Sequence, residues 1–187
     1  MNQAQKNRLA ILIAGPSGVG KSTLCLELRQ DIFAFSNQEI GYICADAYAH
    51  LSFPWRGNDF QLDVKYKGIL ASLKIIETIY EIILLEDTFR RQTDIDQVQS
   101  ALRNQYVSLI TVVLSAQLST LIDRNKQRDW PHKVEDDKIV TIYERHQQFN
   151  WTNAVKINAE VSPHEVRASV FDLLRPALQI RPSGHLG

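Results

Sequence analysis

Residues 15–22, Gly15-Pro16-Ser17-Gly18-Val19-Gly20-Lys21-Ser22, satisfy the pattern G-x-x-x-x-G-K-[ST], and they lie between an apolar run at 9–14 and a helical pattern opening at 22. Few short patterns constrain a fold so tightly, because this one works only as a turn from a buried strand into a helix N-terminus. The glycines let backbone N–H groups turn inward, and the helix start adds positive potential. The result is a cradle for phosphates. Gly15, Pro16, Ser17, Gly18, Val19, Gly20 and Thr23 would enclose the phosphates, Lys21 would place its charge at the β- and γ-phosphates, and Ser22 would offer its hydroxyl to Mg²⁺.

The rest of the chain fits that start. Apolar runs at 9–14, 40–44, 82–85, 107–114 and 154–157 are continuous rather than alternating, as in strands covered on both faces. Helical patterns at 22–30, 68–81, 93–105, 117–124 and 134–149 separate them. A sixth helix should start at Ser162, where Ser162, Pro163 and Glu165 offer an N-cap, a first-position proline and a capping-box partner, and end near Leu178. The expectation is an α/β three-layer P-loop NTPase fold: one domain over 1–187, a five-stranded parallel sheet flanked by helices, a helical lid at about 117–148 and a mobile tail at about 181–187.

Composition narrows the partners. With 21 basic and 21 acidic residues the net charge is zero, which argues against a whole-surface grip on a polyanion, so any polyanion must bind in a site. No apolar run approaches the ~18 residues of a membrane span, and residues 1–8 lack the apolar core of a signal peptide. Cys25 and Cys44 have neither a disulfide-framework nor a metal-like spacing, so free thiols in a reducing cytoplasm are expected. The histidines show no metal-ligand spacing with the cysteines or one another, so no zinc site is expected.

In a wound parallel sheet, ligands bind outside the carboxyl ends of the strands. Asp46 follows the second apolar run, and Glu86, Asp87 and Thr88 follow the third. Phosphoryl transfer needs one carboxylate near the metal and another near the acceptor oxygen. Asp46 is therefore read as the general base and Asp87 as a ligand to metal or acceptor, with one residue of strand slip exchanging Asp87 for Glu86. Arg124 and Arg128 are four apart, on one face if their helix extends that far, and would meet ATP phosphates from the lid, with Arg128 stabilising charge in transfer. Asp129-Trp130-Pro131-His132 then breaks the helical pattern.

Taken together, these segments resemble the P-loop kinases of the polynucleotide 5′-hydroxyl kinase and zeta-toxin-like group. Ala45-Asp46-Ala47-Tyr48 is similar to that group's acid-and-tyrosine segment, Glu86-Asp87-Thr88 to its acid-threonine pair, and Arg124-Asn125-Lys126-Gln127-Arg128 to its lid. The resemblance implies an ATP- and Mg²⁺-dependent kinase, with Asp46 as base and with Asp87, Thr88 and Tyr48 at the acceptor. It departs at Ala49, where the polynucleotide kinases carry an arginine; Arg56 is the candidate substitute.

The acceptor is the open term. Tyr48, Phe53, Trp55 and Phe60 surround Arg56, an arrangement that stacks a base or fills the space beneath a loop, while Lys65 and Lys67 read as exposed helix residues. A nucleic-acid 5′-hydroxyl leads. The alternatives are a small-molecule or nucleoside monophosphate kinase, and a nucleotide-binding regulator or toxin-like protein without acceptor turnover.

Overall fold

The computed structural model describes residues 8–128 and 133–179. The expected break at 129–132 and the expected mobile tail at 181–187 lie outside them. Five parallel strands, β1 (Leu9–Ala14), β2 (Ile40–Cys44), β3 (Ile82–Asp87), β4 (Ser108–Ser115) and β5 (Ala154–Asn158), form one sheet in the order β2-β3-β1-β4-β5. Six helices, α1 (Lys21–Ser36), α2 (Asp59–Ile76), α3 (Gln92–Gln105), α4 (Leu118–Lys126), α5 (Asp136–Gln148) and α6 (Pro163–Gln179), complete the fold, together with a 3₁₀-helix at Ala45–Leu51.

The central strand explains the order. Every residue of β1 is fully buried, because helices cover both of its faces and strands both of its edges. Its alternate side chains feed two cores. Leu9, Ile11 and Ile13 pack with Leu24, Leu28 and Ile32 of α1 and Val170 and Leu174 of α6. Ala10, Leu12 and Ala14 pack with Leu62, Tyr66 and Ile69 of α2 and Ile95, Val98 and Leu102 of α3. Each fully buried aliphatic side chain contributes roughly 1.5–3 kcal/mol, so this strand is the anchor from which the site is hung.

Two helix starts bear on the site. The capping box at α6 forms as expected: Ser162 N–H donates to Glu165 Oε2 at 3.0 Å and Glu165 N–H to Ser162 Oγ at 3.3 Å. Helix α2, in contrast, covers Asp59–Ile76 rather than 68–81. Asn58 caps it by accepting from Gln61 N–H at 2.9 Å, a signal masked in the sequence by the neighbouring Pro54 and Gly57. Arg91 ties its first turns to α3, donating to Asp63 at 2.8 Å and to Asp94 at 2.7 Å. The earlier start places Gln61 and Lys65 on a rigid element beside the carboxyl ends of β2 and β3.

Candidate active site

The glycine-rich turn joins β1 to α1, as its pattern requires. At Gly15 a Cβ would lie 2.7 Å from the Leu114 carbonyl oxygen, so only glycine lets the turn pass the end of β4. Lys21 is buried under the loop. Its ammonium donates to the carbonyls of Gly15 (3.0 Å) and Pro16 (3.1 Å) and to Thr88 Oγ1 (2.6 Å). Burial pushes the Lys21 pKa down, opposed by the carboxylates of Asp46, Glu86 and Asp87. Thr88, expected at the acceptor, thus also anchors the cradle lysine.

The acids on β3 divide by strand parity. Ser22 Oγ donates to Glu86 Oε2 at 2.9 Å, and Tyr42 OH donates to the other oxygen, Oε1. Asp87 points to the opposite face, where it accepts from Lys65 Nζ at 2.7 Å and Tyr66 OH at 2.5 Å. Asp87, expected at metal or acceptor, therefore does not stand with Ser22, whereas Glu86 does, because successive strand residues face opposite sides. A serine hydroxyl and a carboxylate are the hard oxygen donors that Mg²⁺ takes when phosphates supply further ligands, so Ser22 and Glu86 fit this ion. Among the described residues no group of three His, Cys, Asp or Glu could hold a metal by itself.

Asp46 opens the 3₁₀-helix after β2, with its side chain 74% exposed and 3.7 Å from Lys65 Nζ. Lys65 is only 4% exposed, against the expectation of a surface lysine; the pairing with Asp87 is what permits its burial. Asp46 and Lys65 share a cleft of about 380 Å³ with Ser17 of the loop, Thr88, Trp55 and Arg56. Tyr48 is not among its lining residues. It packs against α2, where a Cβ on Gly68 would come within 2.8 Å of Tyr48 Cδ1, so the structure does not bring it to the cleft where it was expected.

A second cavity, of about 290 Å³, lies on the other side of the loop between Gly18, Gly20 and Thr23 and the segment that follows β5. Arg124 and Arg128 both line it. Helix α4 stops at Lys126, so the two are not on one helical face, and Arg124 is spent in part on the Ala159 carbonyl at 2.8 Å. Between them Asn125, buried, clasps the start of the next segment: its amide donates to Val134 O at 2.6 Å and its carbonyl accepts from Val134 N–H at 2.9 Å. The lid resemblance includes this asparagine in its motif but gives it no role.

Residues 11–150 match the AAA domain family. The chain belongs to that family. No curated protein matches the sequence. Among solved structures, the chain is similar to a sugar kinase from Janibacter sp. HTCC2649, at 12% identity and a TM-score of 0.64 over 94% of this chain and 99% of that one. It is also similar to a gluconokinase from Sinorhizobium meliloti 1021, at 17% identity and 0.62 over 93% and 96%. A shikimate kinase from Bacteroides thetaiotaomicron aligns at 18% identity and 0.60 over 89% and 98%. Likeness at such identities establishes the fold, and it is the expected one: a P-loop α/β domain with the five-stranded parallel sheet. Among the described residues no helix is long and apolar enough to cross a membrane.

Proposed function

We propose that this AAA domain protein is an ATP- and Mg²⁺-dependent kinase that transfers the γ-phosphoryl group to a hydroxyl of a small acceptor bound beside Asp46. The observation that carries the reading is the shared cleft. An exposed carboxylate, Asp46, opens onto the same space as Ser17 of the phosphate loop and Thr88, the partner of Lys21. Phosphoryl transfer asks the protein for little beyond positioning, charge neutralisation and a proton acceptor, and each has a residue here.

In this reading the triphosphate lies along the loop, with the base and ribose on the Arg124 side and the γ-phosphate toward Asp46. Lys21 leaves its carbonyl partners for the β/γ oxygens. Ser22, with Glu86 behind it, would hold Mg²⁺, which when bound would supply charge neutralisation at the phosphates. Asp46 accepts the proton of the acceptor hydroxyl as its oxygen bonds to the γ-phosphorus. The bond from that phosphorus to the β–γ bridging oxygen breaks, and ADP leaves with the electron pair. Arg128, whose side chain has no hydrogen-bond or ion-pair partner among the described residues, neutralises the charge that develops on the transferred group.

A small acceptor is favoured over the nucleic-acid 5′ end expected from sequence. The cleft is of the size that encloses metabolites, and the similar folds carry the names of sugar, gluconate and shikimate kinases. The test is transfer from γ-labelled ATP with Mg²⁺ to sugars, sugar acids, sugar phosphates, nucleosides, nucleoside monophosphates and 5′-hydroxyl oligonucleotides, with Lys21→Ala as control. Label on a small acceptor, absent from the control, is the expected result. Label on oligonucleotides alone would restore the nucleic-acid reading, and ATP binding without transfer to any acceptor would favour a regulator.

A further inference from the structure

The acceptor cleft carries more positive charge than the reaction at Asp46 uses. Arg56, Lys65, Arg90, Lys133 and Lys138 line it, against Asp46 and Glu135. Two of these cations are engaged: Lys65 with Asp87 at 2.7 Å, and Lys138 with Glu135 at 2.9 Å. Arg56, Arg90 and Lys133 have no ion-pair partner among the described residues. Cations that outnumber the carboxylates of one cleft repel one another and focus a positive potential into it.

The loop that brings two of them together is built rather than loose. Gln61 on α2 is buried, and its side-chain oxygen accepts from the backbone N–H groups of Arg56 (2.7 Å) and Gly57 (2.9 Å) while its amide donates to Pro54 O (2.7 Å). One glutamine thus fixes the segment from Pro54 to Gly57. Gly57 has φ +66°, and a Cβ there would fall 2.2 Å from Arg90 Nη1. Glycine therefore both permits the turn and lets the Arg90 guanidinium lie against the loop that carries Arg56. Three side-chain hydrogen bonds that fix the loop carrying Arg56, and a glycine that lets Arg90 lie against that loop, set two unpaired arginines on one cleft and describe an anion subsite.

We infer that the acceptor carries an anionic group, a carboxylate or a phosphate monoester, bound by Arg56, Arg90 and Lys133 while its hydroxyl faces Asp46. The inference rests on the small-acceptor kinase reading, and the subsite can be tested apart from it. The protein is first saturated with Mg·ADP, so that the phosphate loop is occupied, and then titrated calorimetrically with sodium malonate or sodium sulfate. One binding site for at least one of the two anions is expected, malonate standing for carboxylates and sulfate for phosphate monoesters. Arg56→Gln and Arg90→Gln should each weaken it about ten- to a hundredfold, as loss of a charged hydrogen bond does, with ADP affinity unchanged. No anion binding to the ADP-loaded wild type, or equal binding in both variants, overturns the subsite.

Turnover supplies the second arm, comparing glucose, gluconate and glucose 6-phosphate. A charged acceptor favoured about a hundredfold in kcat/KM, with Arg90→Gln raising its KM more than it lowers kcat, supports the proposal. Equal use of neutral glucose overturns the anion subsite and leaves the kinase standing. Transfer to oligonucleotides alone overturns the small anionic acceptor. Specific anion binding without transfer to any acceptor supports the subsite while removing the kinase reading.

Discussion

Ser22 donates its hydroxyl to Glu86 at 2.9 Å, joining the first turn of α1 to the end of β3 across 64 residues of chain. In the proposed kinase reading this contact assigns Glu86, rather than the adjacent Asp87, to the nucleotide side. It also links Ser22 to Tyr42, which donates to the second Glu86 oxygen and lies under Arg29, whose guanidinium carbon is 4.8 Å from the ring centre. Glu86 is thus held by a serine and a tyrosine before any ion binds, and its orientation is fixed by the fold.

Glu86→Gln should therefore raise the Mg²⁺ concentration needed for half-maximal activity by about 10–100-fold, as loss of an orienting carboxylate does at metal sites. Mg²⁺ titration of the steady-state rate measures it. Asp87→Asn should leave that titration midpoint unchanged.

The Lys65–Asp87 pair is a buried ion pair, and breaking one side of it strands a charge. Lys65→Met should cost about 3–5 kcal/mol of stability, while Lys65→Met with Asp87→Asn should recover much of that, measured by chemical denaturation. A single variant as stable as the wild type would mean that the pair contributes nothing to holding α2 against the sheet.

How far these assignments could be read from sequence depends on what each one required. The cradle was legible because its chemistry fixes residues at constant spacing, and the strands because continuous apolar runs mark burial on both faces. Glu86 and Asp87 could not be separated, since strand parity reverses with a one-residue slip and nothing local fixes the register. Lys65 was read as a surface residue because its partner lies 22 positions away and only the fold brings them together. Gln61 left no signal at all: a glutamine near a helix start has many uses, and its three bonds to the loop from Pro54 to Gly57 exist only once that loop has turned.

His146 on α5 gives the fold an acid-sensitive point. It stacks on Trp151, with ring centres 5.7 Å apart and 24° between planes, and neither ring nitrogen makes a well-formed hydrogen bond among the described residues, the Phe89 backbone giving only a weak approach. Burial, with the Lys21 charge adding to it, lowers its pKa to about 3. The unfolded chain therefore binds this proton first: stability is complete above the ordinary histidine value of 6.5 and falls as pH drops from there toward 3. His146→Phe should remove about 2 kcal/mol of the stability loss between pH 7 and pH 5, read from denaturation midpoints at the two values.

Arg128 is assigned to charge in transfer rather than to binding the resting nucleotide. Arg128→Ala should lower kcat by about 10²–10³-fold and change ATP affinity by much less. The reverse pattern would make it a ground-state phosphate contact.

The central claim is that Asp46 takes the proton of an acceptor hydroxyl in the cleft beside the phosphate loop. Its most direct test is acceptor-dependent ADP formation by the wild type and Asp46→Asn, measured with ATP binding on the same preparations. Asp46→Asn should lose about 10²–10⁴-fold in the acceptor-dependent rate while binding ATP as the wild type does. An Asp46→Asn protein that turns over acceptor at the wild-type rate would contradict it.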